Sequence, residues 1–183
     1  PFGDPEKMAE FITALKAEYY ALPVAQRGVA PNNMGTIAVP RITYHSGPLQ
    51  LKGNNSGAGI LVVEGNLAFS GTPSFEGLII VTGQTFTISG GGNGGVLGGA
   101  VVFANPLQDA DTGEWTFGQA EATFVFDVDG GGKATFRYDK GSLETARDLL
   151  SENGAAQQMW QLDSSAGSSA ATPSSMSAWS EVY

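Results

Sequence analysis

Two segments of this chain repeat themselves at one common offset, and that restricts the fold more than any other feature. Gly47-Pro48-Leu49-Gln50-Leu51-Lys52-Gly53 aligns with Gly65-Asn66-Leu67-Ala68-Phe69-Ser70-Gly71, 18 residues further on. Gly59-Ile60-Leu61-Val62-Val63-Glu64-Gly65 aligns with Gly77-Leu78-Ile79-Ile80-Val81-Thr82-Gly83, again at 18. A third member, Gly99-Ala100-Val101-Val102-Phe103-Ala104, begins 22 residues after Gly77, with Gly90 to Gly95 supplying the extra length as a loop. Self-similarity at a fixed period near 20 residues indicates a stacked solenoid. Each unit reads as a short apolar strand, a Gly turn, an alternating strand such as Leu67-Ala68-Phe69, and another turn. One unit cannot bury its own apolar face, whereas several stacked units share an interior of Ile, Leu, Val and Phe. An antiparallel sandwich with Gly turns is the competing architecture. Two independent segments with the same offset favour the β-solenoid.

Composition supports this. Half of the 26 glycines fall in the 43 residues from Gly57 to Gly99, where Glu64 and Glu76 are the only charged side chains. The glycines lack the three-residue period of collagen. They are interleaved with aliphatic residues, unlike a flexible linker. No apolar run is long enough to span a bilayer as a helix. The net charge of −9 disfavours use of the phosphate backbone as a ligand. Lys and Arg are scattered without interleaved aromatics, so direct DNA binding is not expected. There is no Cys, hence no disulfide frame, thiolate metal site or cysteine nucleophile.

Around the repeat, five segments are expected within one globular domain. Residues 1–33 comprise an amphipathic helix and a connector. Asp4 is placed to cap, Pro5 to open the helix, and Met8, Phe11, Ile12, Leu15 and Tyr19 to share one face. Residues 34–108 hold the Gly-rich β-solenoid, whose first strands draw on Ile37, Val39, Ile42, Tyr44, Leu49 and Leu51. Residues 109–162 carry a polar loop, a β-hairpin and a helix. The hairpin is expected to pair Ala122–Val128 with Lys133–Tyr138 around Asp129-Gly130-Gly131-Gly132. The helix runs from Ser142 to Ser151, with Leu143, Ala146, Leu149 and Leu150 as its stripe and Gly154 as its stop. Residues 163–178 read as a low-complexity linker, and 179–183 as a docking tail. The fold class is therefore mainly β: a short β-solenoid with flanking amphipathic helices and a β-hairpin.

Few residues invite chemistry. Gly90-Gly91-Gly92-Asn93-Gly94-Gly95 matches a dinucleotide fingerprint in letters, but a strand pattern follows it where a helix is required. Asp109, Asp111 and Glu114 alternate as in the start of a Ca²⁺ loop, and are the candidate metal ligands. The closing Glu is missing, since position 119 is Gln119, and polar turns yield the same letters. No other cofactor is expected. His45 is the only histidine, so a serine triad or His-based zinc site lacks partners. Glu64 and Glu76 are the only carboxylates available to a solenoid hydrolase. They occupy different phases of the repeat, each at an expected turn. Loops 90–95 and 109–118, with Asn93 and Trp115, are the candidate partner-binding loops.

The segments Gly57–Leu67, Phe75–Gly83 and Gly98–Val102, followed by Gly131–Asp139, a helix, and Trp179-Ser180-Glu181-Val182-Tyr183, resemble the C-terminal region of PilX-type pilus assembly proteins. These are minor, pilin-like components of bacterial type IV pilus systems. The similarity spans about residues 45–183. It implies a non-enzymatic domain displayed on a pilus at the bacterial cell surface, acting in assembly, adhesion or uptake, with periplasmic passage before assembly. It implies other pilus proteins as partners, with a surface or polysaccharide ligand as a further candidate. It also implies an apolar N-terminal helix as the membrane link. The chain starts at Pro1 without such a helix, as an excised ectodomain would. Two alternatives remain: a carbohydrate-active β-helix enzyme, and a polymer-forming scaffold of the bactofilin kind.

Overall fold

The computed structural model describes residues 1–89, 96–118, 123–127 and 135–165. The first helix, α1 (Pro5–Ala21), starts where the sequence places it. The Asp4 side chain accepts a hydrogen bond from the Lys7 backbone N–H at 3.1 Å, Pro5 needs no such partner, and Met8, Phe11, Ile12 and Leu15 are buried. A single 3₁₀ turn follows at Val24–Gln26.

The strands then wind in parallel. β1 (Arg41–Ser46) and β2 (Leu49–Gly53) form the first coil, β3 (Ser56–Glu64) and β4 (Leu67–Gly71) the second, and β5 (Ser74–Val81) and β6 (Thr85–Ser89) the third. β7 (Val96–Phe103) and β10 (Thr123–Asp127) continue the two sheets, and β11 (Thr135–Arg137) adds a final strand. The sheet orders are β1-β3-β5-β7-β11 and β10-β6-β4-β2. The register reproduces the sequence repeat. Leu49 lies opposite Leu67, Gly59 opposite Gly77, and Gly77 opposite Gly99. Between β4 and β6 the offset becomes 19, Leu67 facing Phe86. Asn66 Oδ1 bridges that longer corner, accepting from the Gln84 and Thr85 backbone N–H groups at 2.9 and 3.2 Å.

Gly59, Gly77 and Gly99 stack with φ of +112°, +129° and +130°. A Cβ on Gly77 would lie 2.9 Å from the carbonyl carbon of Gly59 and nearer still to its oxygen. Only glycine satisfies both demands at these positions. Two cores result from strand alternation. Leu49, Leu51, Leu61, Val63, Leu67, Phe69, Ile79, Val81 and Phe86 fill the space between the sheets, with Phe69 and Phe86 edge to face at 5.1 Å. Ile42, Ile60, Val62, Leu78 and Ile80 face outward from the first sheet. They pack under α1, α2 (Lys140–Arg147) and α3 (Ala155–Ser165).

The expected hairpin between 122 and 138 does not form. β10 pairs in parallel with β6, and β11 in parallel with β7, so both are further solenoid strands. An alternating pattern around a Gly turn serves a solenoid corner as well as a hairpin, and only the neighbouring coil decides. The antiparallel hairpin that exists is β8 (Pro106–Gln108) with β9 (Trp115–Phe117), inserted between β7 and β10.

The C-terminal helical region also departs from expectation. α2 starts earlier, capped by Asp139, whose carboxylate accepts from the Ser142 N–H at 3.0 Å. Ala146 and Leu150 are buried as the stripe requires. Gly154 ends no helix. Its carbonyl accepts from the Gln158 N–H at the start of α3, which runs through 163–165 of the expected linker. Residues 166–178, the expected docking tail 179–183 and the loop 90–95 with Asn93 lie outside the described residues. Ile37 and Val39 sit in a turn before β1 and are 70 % and 59 % exposed.

The open edge of the first coil is covered by the connector. The Gly28 N–H donates to the Ile42 carbonyl at 2.8 Å, and Arg41 Nη1 donates to the carbonyls of Ala25 and Arg27 at 2.7 and 3.1 Å. On β2, Asn55 Oδ1 accepts the Lys52 N–H at 2.8 Å. Short edge strands, side-chain caps and an edge lysine all oppose strand addition.

Candidate binding site

The polar loop joins β8 to β9 and is exposed throughout. Asp109 Oδ1 accepts from the backbone N–H groups of Asp111 and Thr112 at 2.9 and 2.7 Å. Those bonds hold its carboxyl below the usual carboxylate range. Gly113, at φ +73°, completes the turn. The alternating letters thus serve an Asx-type turn that closes on itself. Asp109, Asp111 and Glu114 do not converge: among the described residues no three His, Cys, Asp or Glu groups lie close enough to hold a metal ion. Trp115 and Glu114 border a cleft of about 470 Å³ against the start of α1, together with Gln108, Asp4 and Glu6.

Glu64 ends β3, as its position near a corner suggests. Glu76 does not sit at a turn; it lies within β5, in register with Ala58. Along the sheet direction, Glu64 stands six register positions beyond the Ala58–Glu76 pair. At roughly 3.3 Å per residue this separates the two backbone positions by about 20 Å along the strands. Glycosidase carboxylates stand about 5–10 Å apart. His45 lies on β1 with Nε2 at 3.3 Å from the Pro48 carbonyl oxygen.

Two constellations that the sequence did not announce surround these carboxylates. At one, Lys16 of α1 reaches Glu64 at 3.3 Å and lies 4.8 Å over the Tyr44 ring. The hydrogen bond to Tyr44, and then Glu64, raise the Lys16 pKa. Burial, and then the Glu64 hydrogen bond, raise that of Tyr44. Tyr19, Tyr20 and Tyr44 form a triangle with centroids 5.2 to 5.9 Å apart. Arg27 lies over Tyr19 and Tyr20 while its Nε donates to the Leu22 carbonyl at 2.9 Å. Every charge here has a partner from the chain itself, so this group fastens α1 to the first two coils.

At the other, the N-terminal turn of α2 overhangs the strands and leaves a groove of about 250 Å³. Ile37 and Pro40 line it from the turn before β1, Ala58 and Glu76 from the sheet, and Asp139 and Ser142 from the helix start. Ser142 Oγ donates to Glu76 Oε2 at 3.4 Å, and Arg137 Nη2 pairs with Asp139 at 3.2 Å. The Ser142 N–H, and then Arg137, hold the Asp139 carboxyl below its usual range. A general acid needs the opposite shift. The 18-residue register could have placed Glu76 beside Ala58 in advance. The position of α2 above it has no counterpart in the repeat.

No family model matches this chain, and neither the curated proteins nor the solved structures contain a match to it.

Proposed function

We propose that this chain is a non-enzymatic domain displayed at the bacterial surface by a type IV pilus system, of the minor-pilin-like kind. The observation that carries the proposal is the stacked Gly59-Gly77-Gly99 column within a closely packed parallel solenoid. The segments that resemble the PilX-type proteins are the ones that build this column and the strands beside it. A scaffold of this type is stiff, because each stacked glycine is confined by the coil beside it. Stiffness suits presentation of a surface to a partner. The distance between Glu64 and Glu76 and the ionised state favoured for Asp139 speak for binding rather than hydrolysis.

The experiment is localisation in the bacterium that encodes the chain. Gold-labelled antibodies against the domain are expected to decorate pili, and the protein is expected in sheared pilus fractions. Label confined to the cytoplasm, or sheared pili free of the protein, would overturn the proposal.

A further inference from the structure

We infer that the groove beneath the start of α2 is a docking site for a lysine or arginine side chain presented by a partner protein; this rests on the chain being a binding module. Its size comes first. About 250 Å³ accommodates one long side chain and falls short of a drug-sized ligand. Its walls come next. Ile37, 70 % exposed, and Pro40 form an aliphatic lip on the approach to the groove. Long cationic side chains lay their methylene stems along such surface while the charged head seeks polar partners.

The floor supplies the counter-charge. Glu76 is half-buried, and its one partner among the described residues is the Ser142 hydroxyl at the long distance of 3.4 Å. An ionised carboxylate has about four acceptor sites, so most of its capacity is unused. No cation among the described residues is within salt-bridge distance of it. Among the described residues, three cations on or beside α2 are engaged elsewhere: Arg137 with Asp139 at 3.2 Å, Lys140 with Glu144 at 3.5 Å, and Arg147 with Asp148 at 3.9 Å. The groove therefore carries one uncompensated negative charge behind an apolar lip. An anionic group is repelled there, and a neutral aliphatic one leaves Glu76 unpaired. An ammonium or guanidinium head on an aliphatic stem answers both features, and a charge-assisted hydrogen bond to Glu76 forms where only the hydroxyl bond exists now.

The test is an amide chemical-shift titration of the ¹⁵N-labelled chain with N-acetyl-lysine amide, and with N-acetyl-norleucine amide as the uncharged match. Saturable shifts confined to Gly59, Gly141, Ser142 and Thr145 are expected with the lysine compound only, with a Kd on the order of millimolar. Glu76→Gln is expected to weaken binding about tenfold or more. Ile37→Ser, in the exposed turn, is expected to weaken it several-fold without touching the charge. Equal response to norleucine, shifts spread over the acidic surface, or undiminished affinity in both variants would overturn the inference. Its failure is separable from that of the pilus assignment. Lysine binding by a chain absent from pili rejects only the assignment, and a pilus-borne chain that ignores lysine rejects only the groove.

Discussion

Replacing Gly77 by Ala is expected to cost far more than replacing Gly98, its in-register neighbour's chain partner one strand on, although both glycines lie within strands of the same sheet. Three variants separate the terms. At Gly98 the nearest atom to an added Cβ is the flexible Glu76 Cγ at 3.4 Å, and φ lies outside the left-handed range. Ala there is expected to be neutral or to stabilise by up to about 1 kcal/mol through the unfolded chain. At Gly53, φ is +64° but no atom lies within 4 Å of the added Cβ, so the cost is backbone strain alone, about 1 kcal/mol. At Gly77 both penalties apply. The φ of +129° adds about 1–3 kcal/mol. The Cβ would also press on the Gly59 carbonyl group, with its carbon only 2.9 Å away. Backbone cannot rotate aside as a side chain does, so forcing the coils apart adds a further cost of about 1–3 kcal/mol. The sum is about 2–6 kcal/mol, a fall in Tm of roughly 4–24 °C for a chain of this size. Circular dichroism melts of the three variants read this directly. A Gly77→Ala protein that melts within about 2 °C of Gly98→Ala would refute the stacked-glycine account.

Three further expectations concern the core, the helix cap and the solenoid edge. Thr43 is fully buried and its hydroxyl lacks a partner among the described residues, so Thr43→Val is expected to stabilise by about 1 kcal/mol in urea titration; a loss of stability would count against an orphaned hydroxyl. Asp139→Ala is expected to lower the melting temperature at pH 7. Because the folded-state pKa is depressed, the carboxylate's contribution is complete above the unfolded value of 3.8 and fades as pH falls through the lower folded value, so the gap between the two proteins should close in acid. A gap independent of pH would contradict this. Arg41 ties the connector over the edge of β1, so the wild-type chain should appear as discrete particles in negative stain, whereas Arg41→Ala should self-associate in light scattering. Filaments formed by the wild-type chain would instead favour the polymer-forming scaffold.

The repeat was legible because a parallel solenoid writes its register into the sequence. Within the aligned repeats, Leu49–Gly53 against Leu67–Gly71, and Gly59 against Gly77 and Gly77 against Gly99, are the observed pairings residue for residue. The face of α1 was equally legible, since Met8, Phe11, Ile12 and Leu15 follow helical spacing and are buried. Ala122–Val128 and Lys133–Tyr138 read as a hairpin, whereas their strands β10 and β11 pair with β6 and β7, because local alternation does not name a strand's partner. The phase of the repeat places Glu76 at a turn beside Gly77. That glycine instead marks the close approach of two coils within a strand. Asp109, Asp111 and Glu114 resembled ligands because an Asx-type turn and a cation loop use the same side chains.

The sequence by itself therefore determined the coil period, the spacing of the stacked glycines and the amphipathic face of the first helix. These depend on local spacing and on steric limits that a single chain segment already carries. The tertiary structure alone decided which strands neighbour one another beyond the third coil, and where the second helix settles. It thereby decided that Glu76 faces a groove with a hydroxyl, and with no cation beside it among the described residues. Those outcomes depend on segments more than 60 residues apart, Ser142 and Glu76 among them, meeting across a packed sheet whose exposed face encodes no address for the helix that covers it.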